Sequence, residues 1–164
     1  MKFRVSAYLV AAVCVGLALA LGWGVAWVAY RWGRDILGEF SILVVAGAGF
    51  GGFGLACAGI SRGVQRVCPL RPGEYAFDSA AVLPWMALKV CREFGWGALF
   101  PFQLVFTRPL LAALFGARVG KGVALAGHLE DLPLVELGDR AILGTGSVLT
   151  PHLLVSGRMV LGAD

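Results

Sequence analysis

Charge and histidine are the scarce commodities in this chain. Lysine and arginine number 14, aspartate and glutamate 10, and only 15% of the 164 residues are charged, against 59% that are hydrophobic. A soluble domain carries about a quarter of its residues as charges, so an ordinary soluble domain is excluded, and the mean hydropathy of +0.81 points the same way. Two histidines, His128 and His152, cannot supply a site that needs three imidazoles. The four cysteines, Cys14, Cys57, Cys68 and Cys91, form no CxxC pair and have no histidine at ligand spacing, so no metal centre is expected. Basic residues form no stripe with interleaved aromatics. Nucleic acid is therefore not an expected partner, and the net charge of +4 suits anionic lipid headgroups instead.

Long uncharged runs are plentiful. Residues 5–30 contain no charge, and residues 40–60 form a second such run. As helices both are long enough to cross the hydrocarbon, so residues 1–66 read as a two-helix transmembrane anchor. A cleaved signal peptide is the other reading of the first run, because Lys2 and Arg4 precede it, but its apolar stretch is too long and no polar cleavage region follows. Lys2 and Arg4 before the first run, with Arg62, Arg66 and Arg71 after the second, place both termini on the cytoplasmic side of the inner (cytoplasmic) membrane. Arg31 and Arg34 in the connection pull the other way, offset in charge by Asp35 and Glu39. Gly47 and Gly51, four residues apart in GAGFGGFG, and Gly16 in the first run allow close helix packing, within the hairpin or against a partner helix.

Residues 67–116 read as an amphipathic segment lying in the membrane interface. Trp85, Phe94, Trp96, Phe100, Phe102 and Phe106 supply apolar bulk, while Lys89, Arg92 and Arg108 keep charge at the headgroups. Pro101 and Pro109 should break the segment into short helices, and a third span over 94–107 is disfavoured by its length and by Pro101.

From Val119 a six-residue beat takes over, through Leu125, Asp131, Leu137, Leu143, Leu149 and Val155 to Leu161, with only Asp131 not aliphatic. Glycine follows four of these residues, at 120, 138, 144 and 162, and the position four after each beat is mostly small or aliphatic. A period of six suits neither a helix nor a simple strand. It suits a parallel β-helix in which each hexad forms one flat face and three faces close a coil of about 18 residues. The runs LFGARVGKG and LVELGDRAILGTGSVLTPHLL resemble those with which hexapeptide-repeat acyltransferases enter and build their left-handed β-helix. RPGEY, LFGARVG, VELGD and SVLTPH further resemble the membrane-embedded, acyltransferase-like terminal region of nonribosomal peptide synthetases of the polylysine synthetase type. The expected fold is thus a membrane α-helical hairpin followed by a short left-handed parallel β-helix over 117–164, which stops in mid-hexad at LGAD and needs its open end capped.

The resemblance implies transfer of an acyl group from acyl-CoA or acetyl-CoA to a hydroxyl or amine, with a histidine as general base. It also implies a homo-oligomer, commonly a trimer, or a capping protein partner. His152, in SVLTPHLL, stands where the family's histidine is expected and should point outward. His128, in LAGHLEDLP, is the second candidate, with Glu130 or Asp131 near enough to orient its ring; either histidine could instead be an ordinary surface residue. Asp139 should brace a corner through local backbone amides. Asp131, Leu132 and Pro133 should bulge outward as a loop between coils, of the kind that borders the acceptor pocket in that family. The competing functional reading is a noncatalytic anchor or assembly subunit whose open β-helix docks onto another protein.

Overall fold

The computed structural model describes residues 5–155 and 158–162. Lys2 and Arg4, on which the orientation of the spans partly rests, lie outside them. Helix α1 (Val5–Leu37) and helix α2 (Ser41–Val67) are joined by a 3₁₀ turn over Gly38–Phe40, where Gly38 adopts a φ of 54° that few other residues tolerate. The two helices run antiparallel. A methyl group placed on Gly22 would stand 2.8 Å from Phe53 Cβ, and one on Gly52 would stand 2.9 Å from Val25 Cβ. Gly47, Gly51 and Gly16, the glycines expected at the contact, have open space around them. The close approach therefore runs along a different stripe from the GxxxG spacing.

The stretch Val5–Val67 is long and apolar enough to cross a membrane, and only 22% of its most apolar window is buried. Leu17, Trp23, Ile42 and Phe50 are each more than half exposed. A core helix of a soluble protein would bury these side chains. A Gly22→Leu change should loosen the hairpin by about 1–3 kcal/mol through overpacking, read as a lower melting temperature by helical circular dichroism in detergent. Gly16→Leu, which meets nothing, should leave melting unchanged.

Helix α3 (Val82–Ala98) lies across both helices rather than apart from them. Its Gly95 sits against Cys57 of α2, and the following Leu99 rests on Gly54 of α2, each position too tight for an added methyl group. Cys14, Cys57 and Cys91, one from each helix, are buried free thiols in this core. The helix stops at Ala98, and Pro101 lies in a 3₁₀ turn over Phe100–Phe102, so no third span forms over 94–107. Pro109 opens helix α4 (Arg108–Leu114), as a residue without an amide hydrogen can do without cost in a first turn. The free carbonyls at the end of α4 are taken by α2: Arg62 Nε donates to Leu114 O at 3.1 Å and Gln65 Nε2 to Phe115 O at 2.9 Å.

The remainder is a small strand-rich region. Short strands β2 (Arg118–Val119), β3 (Ala124–Leu125) and β4 (His128–Leu129) make one circuit. Strands β5 (Glu136–Leu137), β6 (Ile142–Leu143) and β7 (Val148–Leu149) make a second circuit over it, each pairing in parallel with its predecessor. Arg118 lies beside Glu136 and Ala124 beside Ile142, three hexads on in each case, but His128 lies beside Val148, two residues more. Leu129, not Asp131, therefore stacks beneath Leu149. The displacement keeps a carboxylate out of an aliphatic stack, where it would be buried without a partner. Asp131 itself takes a left-handed φ of 42° and leads into a 3₁₀ turn over Leu132–Leu134. Contrary to expectation, this segment folds inward: Asp131 is 7% exposed and Leu132 1%.

One end of the stack is closed by α4, whose Leu111 and Ala112 join Phe115, Val123, Leu125 and Leu129 in a single core. The other end is open, with Leu143 half-buried and Leu149 exposed. The beat does not continue through Val155 and Leu161. Strands β8 (His152–Val155) and β9 (Arg158–Leu161) instead form an antiparallel hairpin, and β9 also pairs with β1 (Gly73–Ala76). Met159 and Leu161 are fully buried against Val82 and Trp85 of α3, with Leu134 packed alongside. Asp139 accepts the Lys121 amide at 2.7 Å, so it ties the second circuit to the first rather than bracing its own corner. Gly120 leaves the room for this, since a Cβ there would come within 2.5 Å of that carboxylate.

Candidate functional site

The two histidines meet different fates. His152, at the start of β8, does not point outward. Its side chain is 15% exposed, and its Nδ1 pairs with Oδ2 of Asp131, whose side chain is 2% exposed. Trp85 Nε1 donates to the other carboxylate oxygen at 3.1 Å, and the Trp85 and His152 rings meet edge to face at 5.6 Å. Both oxygens of a buried carboxylate are thereby matched. The arrangement links the terminal hairpin to α3.

His128, on β4, is 48% exposed at its side chain. Its Nε2 lies 3.0 Å from Glu130 Oε1 and 3.3 Å from Arg92 Nη2. The carboxylate is nearer, and the Arg92 nitrogen already donates to the Leu129 carbonyl. Nε2 is thus assigned the proton, donating to Glu130, and Nδ1 is left as the basic nitrogen. Burial lowers the His128 pKa from its ordinary value, and the Arg92 guanidinium lowers it further against an opposing pull from Glu93. The ring is accordingly neutral at neutral pH. The unfolded chain takes up this proton first as pH falls, so the His128 contribution to stability declines below about pH 6.5.

Helix α3 supplies the surroundings. Lys89 pairs with Glu130, Arg92 pairs with Glu93, and the Arg92 guanidinium carbon sits 5.5 Å from the centre of the Trp96 ring. Beside them opens a cleft of about 220 Å³, lined by Trp96, Arg108, His128 and Ser147 together with Leu129, Val148 and small residues of the strand region. Arg108 Nη1 donates to the Ala126 carbonyl at 2.8 Å, while its Nε is buried without a hydrogen-bond partner among the described residues. Ligand atoms of Glu93, His128 and Glu130 all lie within 4.8 Å of one another. As a metal centre this group is unpromising, because Lys89 and Arg92 already supply the positive charge that an ion would bring.

Sequence reasoning named both histidines and Glu130 but missed Lys89, Arg92 and Glu93 as companions of His128. The signal was present: with Trp96 they fall at the i, i+3, i+4 and i+7 spacing of one helix face. Arg108 carried no local signal, since the fold alone brings it to Ala126. The cleft can hold a small polar or anionic group against a neutral imidazole whose orientation is set by a carboxylate. No family model, curated protein or solved structure matches the chain.

Proposed function

We propose that this chain is a membrane-anchored, acyltransferase-like protein that moves an acyl group from an acyl-CoA thioester, acetyl-CoA or a longer one, to a hydroxyl or amine, with His128 as general base. The observation that carries the reading is the accessible His128 ring, held by Glu130 on the wall of a polar cleft, while Asp131 and Trp85 occupy His152. In the reaction the acceptor O–H or N–H gives its proton to His128 Nδ1 as its heavy atom attacks the thioester carbonyl carbon. The C–S bond then breaks, and the imidazolium returns the proton to the departing thiolate, giving free CoA thiol. On this reading the two parallel circuits begin a left-handed β-helix, the hairpin crosses the inner membrane with both ends cytoplasmic, and a homo-oligomer, a trimer in the family resembled, or another protein covers the open end.

The pH dependence tests it. Thiol release from acetyl-CoA, with the protein in nanodiscs of its native lipids, should stay level from about pH 8 downward and fall only below about pH 6.5, because the His128 pKa is lowered. A decline that begins above that value would place the proton acceptor elsewhere.

A second reading, a noncatalytic assembly subunit, is favoured by one observation. The second circuit leaves Ile142 78% and Val148 66% exposed, a surface that a docked partner would cover. On that reading His128→Ala leaves biological activity intact and Ile142→Asp, away from the cleft, removes it.

A further inference from the structure

The charges around the cleft do not balance. Lys89 is matched by Glu130 and Arg92 by Glu93, but Arg108, half-buried on the cleft wall, has no carboxylate partner among the described residues. Among the described residues its Nη1 donates to a neutral carbonyl, and its Nε is buried without a partner. A guanidinium withdrawn from water without a counterion is costly, and a phosphate oxyanion matches its fork of donors. Nothing acidic in the cleft opposes an anion at that position, since the lining is Trp96, Arg108, His128, Ser147 and backbone or aliphatic groups.

The chain that joins the two cleft walls has a different chemistry. Between Trp96 on α3 and Arg108 on α4 run Phe100, Phe102 and Phe106, followed by Leu110, all between 54% and 76% exposed. Leu99, immediately before them, rests on Gly54, which lies inside the uncharged stretch of α2. The apolar collar thus begins at a residue packed on the uncharged stretch of α2. Arg62, at the charged end of α2, binds the far end of α4. Helix α4 is thus tied by its far end to the charged end of α2, with Arg108 at its opposite end.

We propose that the cleft binds a membrane phospholipid, with the phosphate on Arg108, the polar head beside His128, and the acyl chains along Phe100, Phe102, Phe106 and Leu110. The phosphate and the tails are thereby read by one continuous stretch of chain. The lipid's role as acceptor, through a headgroup hydroxyl or amine, rests on the acyl-transfer reading; its binding does not.

The test needs no turnover. Detergent-purified protein is offered equal amounts of dioleoyl phosphatidylglycerol and dioleoyl phosphatidylcholine, and retained lipid is counted by native mass spectrometry. The wild-type protein should hold the glycerol lipid preferentially. Arg108→Gln, which can still donate to Ala126, should lower that retention by about tenfold, the usual worth of one charge-assisted contact. Arg108→Lys should recover most of it. Phe106→Ser combined with Leu110→Ser should weaken lipid retention while leaving any binding of soluble glycerol 3-phosphate unchanged. Equal retention in wild type and Arg108→Gln would overturn the proposal. Displacement of the lipid by an equal concentration of glycerol 3-phosphate would also overturn it, and would identify the ligand as a small soluble phosphate. Wild-type protein that holds the lipid but transfers no acyl group would count against the enzyme reading alone.

Discussion

A His128→Ala protein should release thiol from acetyl-CoA about 10²–10⁴-fold more slowly than wild type, the usual loss when a positioned general base is removed. Its fold should survive, because the ring is 48% exposed and its partner Glu130 keeps the Lys89 contact. Glu130→Gln should cost less. The imidazole would lose the carboxylate charge that holds its proton on Nε2, yet an amide oxygen can still accept from it and the basic nitrogen would remain. This difference between base and orienting group separates a catalytic histidine from one that merely fills the cleft, since loss of packing alone would not rank the two variants in this order.

His152→Ala should act on stability instead, lowering it by about 3 kcal/mol. The change strips one of two partners from a carboxylate that is 2% exposed and opens a gap against Trp85. Unfolding followed by Trp fluorescence should show an earlier transition, with Asp131→Asn less severe because an amide oxygen still accepts from Trp85 Nε1. Thiol release, corrected for the folded fraction, should stay within about twofold of wild type, a change of less than 1 kcal/mol in the barrier. These outcomes would make His152 a clasp between the terminal hairpin and α3.

The apolar hairpin was legible because length and lack of charge suffice to specify it: α1 contains the first uncharged run and α2 all of the second but Phe40. Its contact stripe was not legible, because many glycines satisfy a small-residue spacing and only the rotation of the helices selects Gly22 and Gly52 over Gly47 and Gly51. The six-residue beat located five of the six parallel strands and misplaced the other. At Asp131 periodicity competed with the cost of burying a carboxylate in an aliphatic stack, and the chain answered by using Leu129 and lengthening the circuit by two residues. The tail followed a different period. In RMVL the buried Met159 and Leu161 alternate with the outward Arg158 and Val160, the period of an antiparallel strand, but the partner that selects it, Gly73–Ala76, is far away in sequence. The His128 cleft was only half legible for a related reason: its α3 face had a readable spacing, whereas Arg108 arrives through the fold.

The measurement that bears most directly on this account is thiol release from acetyl-CoA by wild type, His128→Ala and His152→Ala side by side, in native-lipid nanodiscs and normalised to folded protein. Acyl transfer at the His128 cleft predicts comparable rates for wild type and His152→Ala and a nearly silent His128→Ala. Wild-type protein that releases no thiol, or a His128→Ala protein as fast as wild type, would contradict it.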